Sequence, residues 1–362
     1  MMTETFSAYL LLPVAFLAIG VGHFQSGDLL NSERNVLGFH TNIYNFVIEY
    51  LLAIFFFKIG LELRFELIQG VLKERKFMAI SALSAGLGMI VPVGIFLVVT
   101  SMLHISHQGW GVIMATDLPL VLALVAILKK GKLRPFILAL ATLDDIGSII
   151  VLSFIQQSTA HWLYILLFLL VFVGYTQFSR RSQSVILLLL FFVVGIILGD
   201  AAGIPVSLSA VLFGIFTIGK RTTESTIEKR LLRILEPTSA YLVIPLFLFV
   251  ILFRKFELSS AAFAGGLLLV MIGARLLGKP LGIFAGMAIG QKIFRSKLPF
   301  STDDGWIIGF LGTLGLSVSL IFAQGQLAGS ALNTGILAVL FTVPLGIVAT
   351  VLFARHFSRK NL

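Results

Sequence analysis

Two adjacent carboxylates, Asp144 and Asp145, stand in the stretch LATLDDIGSII, about ten residues into an apolar run of roughly 23. One aspartate at the centre of a transmembrane helix costs on the order of 2.5–3.5 kcal/mol to insert, and two side by side about twice that. Such a pair has to be compensated by partners or by use. The plain structural reading is two protonated acids that hydrogen-bond neighbouring helices together. Ionisable groups inside a membrane are nevertheless read first as functional. Burial and mutual repulsion couple the two, so their protons leave in two macroscopic steps. Na+ and Li+ are hard cations that prefer oxygen, and carboxylate, hydroxyl and backbone carbonyl oxygens are what this region offers. Competition of H+ and such an ion at Asp144 and Asp145 is sufficient to exchange one for the other.

Two further charges lie in similar surroundings. Asp117 stands in MATDLPLVL, where Pro119 lacks a donor and restricts its predecessor, opening the backbone near mid-span. Carbonyls freed there, with the Thr116 hydroxyl, are candidate cation ligands, and the helix that restarts favours a negative group at its amino end. A simple proline kink, with Asp117 capping the second half-helix, accounts for the same residues. Lys279, in RLLGKPLGIF, sits near the middle of its run and is followed by Pro280. A buried ammonium needs a buried acid, which predicts an ion pair with Asp144 or Asp145. Snorkelling of the long side chain toward the cytoplasm is the alternative.

Helices in lipid have to position these groups. Of 362 residues 58% are hydrophobic and 12% charged, against about a quarter charged in a soluble domain, and the mean hydropathy is +1.02. Apolar runs fall at 6–24, 43–69, 77–103, 110–128, 134–156, 161–178, 184–199, 203–219, 231–253, 260–291, 305–328 and 331–353. At about 20 residues per span, these predict an all-α membrane protein of about twelve transmembrane helices, a single transporter domain over 1–362. The runs at 43–69 and 260–291 exceed one bilayer and should tilt, bend or emerge. No alternating strand pattern supports a barrel. Cysteine is absent, which excludes a disulfide framework and thiolate metal sites. Met1 to Thr5 lacks a signal-peptide n-region, so the first run is expected to stay as a helix.

The net charge of +10 reads as topology. Alternate loops hold twenty lysines and arginines, from Lys73 to Lys360, while the opposite loops hold only Arg34, Arg254 and Lys255. The positive-inside rule then predicts both termini cytoplasmic. The basic balance points to contact with anionic membrane lipid, with no nucleic-acid partner. Lys58, Arg64, Arg275 and Lys279 remain, within spans or at their ends.

Two runs with internal breaks carry a faint repeat. Gly109-Trp110 and Gly305-Trp306 each open a run, and at that offset Thr116-Asp117 falls on Gly312-Thr313. The loop charges set the two runs in opposite directions, the pointer to inverted repeats, here about 77–156 and 260–353, with a site at the midplane. Near the cytoplasmic end of the second run, Glu62, Arg64 and Glu66 form either a solvated interfacial cluster or a cation-attracting funnel. Lys58 is one turn before Glu62, a helical ion pair. Glu49 reads as solvated or hydrogen-bonded near the external end. All six histidines fall at span ends or loops, which argues against a midplane histidine switch.

Together LATLDDIG, MATDLPLVLALVAIL, FFFKIGLELRFELIQG, LLGKPLGI and AYLVIPLFLF resemble the NhaA-type sodium/proton antiporters through most of the chain, a family that is itself a standing example of inverted-repeat transporters. The resemblance implies a non-enzymatic, electrogenic exchange of cytoplasmic Na+ or Li+ for external protons in a bacterial inner membrane, serving sodium and pH homeostasis without a cofactor. It implies Asp145 as main cation and proton ligand, Asp144 as its pair, and Thr116 beside them. Asp117 and Lys279 would compensate opposite half-helix dipoles, with Lys279 on Asp144 when no cation is bound. Glu62, Arg64 and Glu66 would belong to the cytoplasmic funnel. The chain departs from the family pattern at Phe65, Pro205 and Leu232, where members carry ionisable groups, which puts pH activation in doubt. Oligomeric state is left open, a homodimer included, as are stoichiometry and the choice of Na+ or Li+. A sodium-coupled solute symporter of inverted-repeat fold is the main rival. An intramembrane aspartyl protease lacks its Gly-x-Gly-Asp, since Asp200 follows Ile-Leu-Gly, and no repeated filter supports a channel.

Overall fold

The computed structural model describes residues 13–14, 17–18, 20–22, 34–36, 39–41, 46–68, 74–155, 161–181, 184–217, 227–253 and 266–360. The chain is an all-α membrane protein. A short antiparallel hairpin, β1 (Arg34–Val36) and β2 (Phe39–Thr41), precedes the second span. The helices are α1 (Leu52–Ile68), α2 (Arg75–Met102), α3 (Leu118–Ile127), α4 (Arg134–Ile155), α5 (Trp162–Arg181), α6 (Val185–Ala201) and α7 (Val206–Ile215). They continue with α8 (Ile227–Thr238), α9 (Ile244–Leu252), α10 (Leu267–Gly273), α11 (Lys279–Phe294), α12 (Thr302–Leu311), α13 (Ser317–Gln326) and α14 (Gly329–Lys360). Among the described residues six helical segments are long and apolar enough to cross a membrane. The predicted runs from 43–69 to 331–353 all carry helix. Most of 6–24 lies outside the described residues.

The long runs bend where wide turns interrupt them. A π-helical turn at Phe46–Leu51 leads into α1, one at Ser239–Val243 joins α8 to α9, and one at Ala274–Gly278 joins α10 to α11. The last two immediately precede Pro245 and Pro280. Proline offers no N–H and its ring clashes with the carbonyl four residues back, and a widened turn relieves both faults without ending the helix. Pro119 acts differently. The first break spans residues 114–117, before Pro119, which falls in the first turn of α3, where its missing donor would have no intrahelical partner anyway. The break expected at Asp117, Leu118 and Pro119 therefore overlaps the observed one at Asp117, and the observed one lies mostly on its amino-terminal side, toward Thr116.

The helices divide into two compact units. One holds α2 to α4 and α10 to α14. Its closest packing sets α11 on α2 through Gly278, Gly282, Gly286 and Gly290, four residues apart. A Cβ at Gly278 would come within 2.6 Å of the Pro92 Cα, and one at Gly282 or Gly286 would overlap the backbone at Leu87 or Ser84. Association in hydrocarbon has no help from water, so small residues that let backbones touch supply the attraction. Beside this seam Phe136, Ile283, Met287, Ile307 and Ile308 form part of a continuous core that surrounds the lower turns of α4.

The other unit holds α1 and α5 to α9. Here α1 crosses α7 at Gly60 and Gly214, where a Cβ on either would meet the backbone of the other helix. Phe213 is ringed by Phe168, Phe172, Tyr175 and Phe192 in edge-on contacts, the arrangement that ring quadrupoles favour. The Tyr175 hydroxyl shares a 2.5 Å hydrogen bond with Thr217. Outward faces of α5 and α6 are apolar: Trp162 is 81% and Ile186 80% exposed. That surface suits lipid and would associate in water.

Candidate functional site

The two interrupted spans meet at their breaks. A 3-10 turn at Trp110–Ile113 runs into non-helical residues 115–117 before α3, and α12 gives way to non-helical residues 314–316 before α13. Each strand of exposed backbone satisfies the other. The Thr116 hydroxyl donates to Gly312 O at 2.8 Å, and the Asp117 amide donates to Leu314 O at 2.7 Å. The Asp117 carboxylate accepts from the amides of Leu316 (2.6 Å) and Ser317 (2.7 Å) and from the Ser317 hydroxyl (3.1 Å). Asp117 is thus an amino-terminal cap, but of α13 on the other interrupted span, nearly 200 residues away. The alternative of a cap on its own α3 gives way to a cap on the other span.

Positive groups hold the carboxyl ends. The Lys279 ammonium, 0% exposed, donates to Met114 O and to Asp144 Oδ2 at 3.0 Å. Of the two predicted partners it takes Asp144, and it does not reach the surface. Asp145 is buried one residue further along α4. One turn before Lys279, Arg275 is 1% exposed and donates to Ala115 O (2.8 Å), Gly315 O (2.9 Å), Val112 O (3.4 Å) and the Ser319 hydroxyl (2.9 Å). It also attracts Asp117 and Asp144 electrostatically. Gly315 has to be glycine, because a Cβ would collide with the Arg275 guanidinium and the Ala115 carbonyl.

Arg275 is the residue that sequence reasoning missed. It was counted only as a leftover basic residue, although its spacing of four from Lys279 puts both charges on one helix face. Its presence changes the ligand inventory. The carbonyls of Met114, Ala115, Gly312, Leu314 and Gly315, expected to be available for a cation, are engaged by Lys279, Arg275, Thr116 and the Asp117 amide. Side-chain carboxylates and hydroxyls gain weight as ligands accordingly. Among the buried charges around the breaks, Asp117, Asp144 and Asp145 face Lys279 and Arg275, leaving one formal negative charge.

At the start of α12, Ser301 and Asp304 form a capping box, and Lys130 (3.1 Å) and Lys132 (3.5 Å) pair with Asp304. The predicted funnel residues lie in the other unit. Glu62 pairs with Lys58 at 2.9 Å, as spacing implied. Arg64 donates to Glu228 at 2.9 Å and to Ile215 O, at the carboxyl end of α7, at 2.9 Å. The side chains of Glu49 and Glu66 lie outside the described residues. Pro205 caps α7 and Leu232 sits half-buried on α8.

Comparison with known proteins agrees with this architecture. The sequence matches the family described as Na+/H+ antiporter 1 over residues 1–354. The Na+/H+ antiporter NhaA of Citrobacter koseri is 30% identical over 305 residues, covering 80% of this chain and 76% of the relative. That of Tropheryma whipplei is 30% identical over 379 aligned positions, covering 99% and 95%. The solved structure of the sodium proton antiporter MjNhaP1 from Methanocaldococcus jannaschii matches with TM-score 0.60 over 96% of this chain and 95% of its own, at 14% identity, a likeness of fold. By its full-length match and these relatives, the chain belongs to the Na+/H+ antiporter 1 family.

Proposed function

We propose that this protein exchanges cytoplasmic Na+ or Li+ for external protons, electrogenically, by competition of H+ and cation at Asp145 and Asp144. The observation that carries the reading is a buried Lys279–Asp144 pair beside a second buried carboxylate. In the proton-loaded form Asp145 holds one proton and a second lies between Lys279 and Asp144. A cation shared by the two carboxylates displaces both, so two protons leave as one Na+ enters, and one net charge moves per cycle. Asp117 balances the amino ends of the broken helices throughout and Lys279 the carboxyl ends while it holds its proton, and Thr116 borders the ion.

The same reading takes residues 1–362 as one transporter domain with inverted repeats near 77–156 and 260–353. Symmetry mates touch only on their axis, and the Thr116–Gly312 hydrogen bond joins positions at the repeat offset of 196. In this reading, which the family supports, the protein sits in a bacterial inner membrane, and loop charge sets both termini on the cytoplasmic side. Arg64 is tied to Glu228, and Phe65, Pro205 and Leu232 carry no charge, so pH activation through the funnel is weak in this reading.

The test is reconstitution into liposomes with an internal pH dye and external Na+, Li+ or K+. Na+ or Li+ should drive proton movement between pH 6.5 and 9, with a membrane potential altering its rate, and Asp145→Asn should abolish it. Absence of cation-driven proton movement in the unaltered protein, or Na+ flux that requires a co-transported solute, rejects the proposal.

A further inference from the structure

We propose that the Ser148 hydroxyl is a further ligand of the transported cation, forming with Asp144 and Asp145 an oxygen triad on one face of α4. This rests on the exchange at Asp145 proposed above. At 100° per residue, Ser148 lies about 40° round the helix from Asp144 and about 60° from Asp145, one turn further along. Positions three and four residues apart are neighbours on a helix surface, about 5–6 Å between Cβ atoms. An ion held between the two carboxylates therefore lies within reach of this hydroxyl.

Ser148 is 0% exposed and its Oγ has no hydrogen-bond partner among the described residues. Ser81 Oγ, on α2, is likewise without one, but α2 carries no carboxylate, and three other buried hydroxyls of the unit return to their own helix. Thr142 donates to Leu138 O at 2.7 Å, Ser84 to Ile80 O at 2.7 Å and Thr100 to Phe96 O at 2.7 Å. A buried polar atom left without a partner calls for a reason. With five carbonyls of the two breaks already accepting hydrogen bonds, side-chain oxygens are the better placed ligands for a hard cation there. A proton asks less: it occupies one carboxylate oxygen and has no use for a distant hydroxyl. Ser148 thus favours the metal ion over the proton in their competition.

Ser148→Ala separates these roles. In proteoliposomes its KM for Na+ should rise about five- to tenfold, the factor one neutral oxygen contact supplies. The rise should be the same at every pH, because proton affinity is untouched, and maximal rate should be retained. The melting temperature should hold or increase, since an unsatisfied hydroxyl is removed. Ser148→Cys, similar in size with a soft donor, should follow Ala. An unchanged KM in Ser148→Ala, a wild-type KM in Ser148→Cys, or a lowered melting temperature with loss of rate in place of affinity overturns the inference. Full exchange by Asp145→Asn would instead bring down the underlying reading, whatever Ser148 does.

Discussion

Lys279→Ala removes the ammonium from a pair whose side chains are 0% and 3% exposed. At 3.0 Å and an effective dielectric constant of about 20, the lost attraction is roughly 5.5 kcal/mol. The desolvation that Lys279 no longer suffers offsets part of it, and truncating one member of a buried pair costs about 3–5 kcal/mol in total. With an unfolding entropy of about 2.1 cal/mol/K per residue, this lowers the melting temperature by the order of 5 °C. Asp144→Ala should cost a similar amount, because it strands the ammonium, while Lys279→Ala combined with Asp144→Ala, which leaves no buried charge unpaired, should cost less than the two single losses together. Thermal unfolding of the four purified proteins in one detergent closes a double-mutant cycle, with a coupling energy of at least 2 kcal/mol expected for partners in direct contact. A coupling under about 0.5 kcal/mol, the level at which distant sites simply add, would refute the assignment of the two residues as mutual partners.

Asp117→Ala should destabilise by about 2–3 kcal/mol, since it uncaps two α13 amides bonded at 2.6 and 2.7 Å, whereas Asp117→Asn should cost less; chemical unfolding followed by tryptophan fluorescence reads the difference. Gly282→Ala should lower the melting temperature through a clash with the Leu87 carbonyl worth about 1–3 kcal/mol, while Gly273→Ala, where a Cβ meets nothing within 4 Å, should not lower it. For Asp304, burial by itself would raise the carboxyl, but hydrogen bonds from Lys130 and the Ser301 amide outweigh it and hold the group below its ordinary value. A depressed folded value gives stabilisation that is present above the unfolded value, near pH 4, and is lost as pH falls through the folded one. The gap in melting temperature between the native protein and Asp304→Asn should therefore be full at pH 7 and shrink below about pH 4; a gap constant with pH would count against the ion pair.

The charged core was legible because Asp117, Asp144, Asp145 and Lys279 stand out against an apolar background where each charge has to have a reason. Spacing could not choose Lys279's partner, since Asp144 and Asp145 differ by one residue and only the crossing of α4 with the breaks decides. Asp117's cap on α13 was out of reach for the same cause: local rules see the next turn, and the amides it binds belong to a segment nearly 200 residues on. Arg275 is one of several basic residues within spans and has no acidic neighbour in sequence to mark it, and the glycines from 278 to 290 carry no polar group, although a four-residue glycine spacing is a packing signal in a membrane. Arg64's tie to Glu228 spans 164 positions, and no periodicity links them.

The central claim is that Na+ and H+ compete for the carboxylates on α4. The KM for Na+, measured from pH 6.5 to 9 in proteoliposomes with no imposed pH gradient, tests it most directly. Competition predicts that KM falls as pH rises, about tenfold per unit where one proton has to be displaced and more steeply, toward a hundredfold, at acid pH where both are, while the maximal rate stays level. A KM independent of pH, with pH acting only on the maximal rate, would contradict a shared site at Asp144 and Asp145.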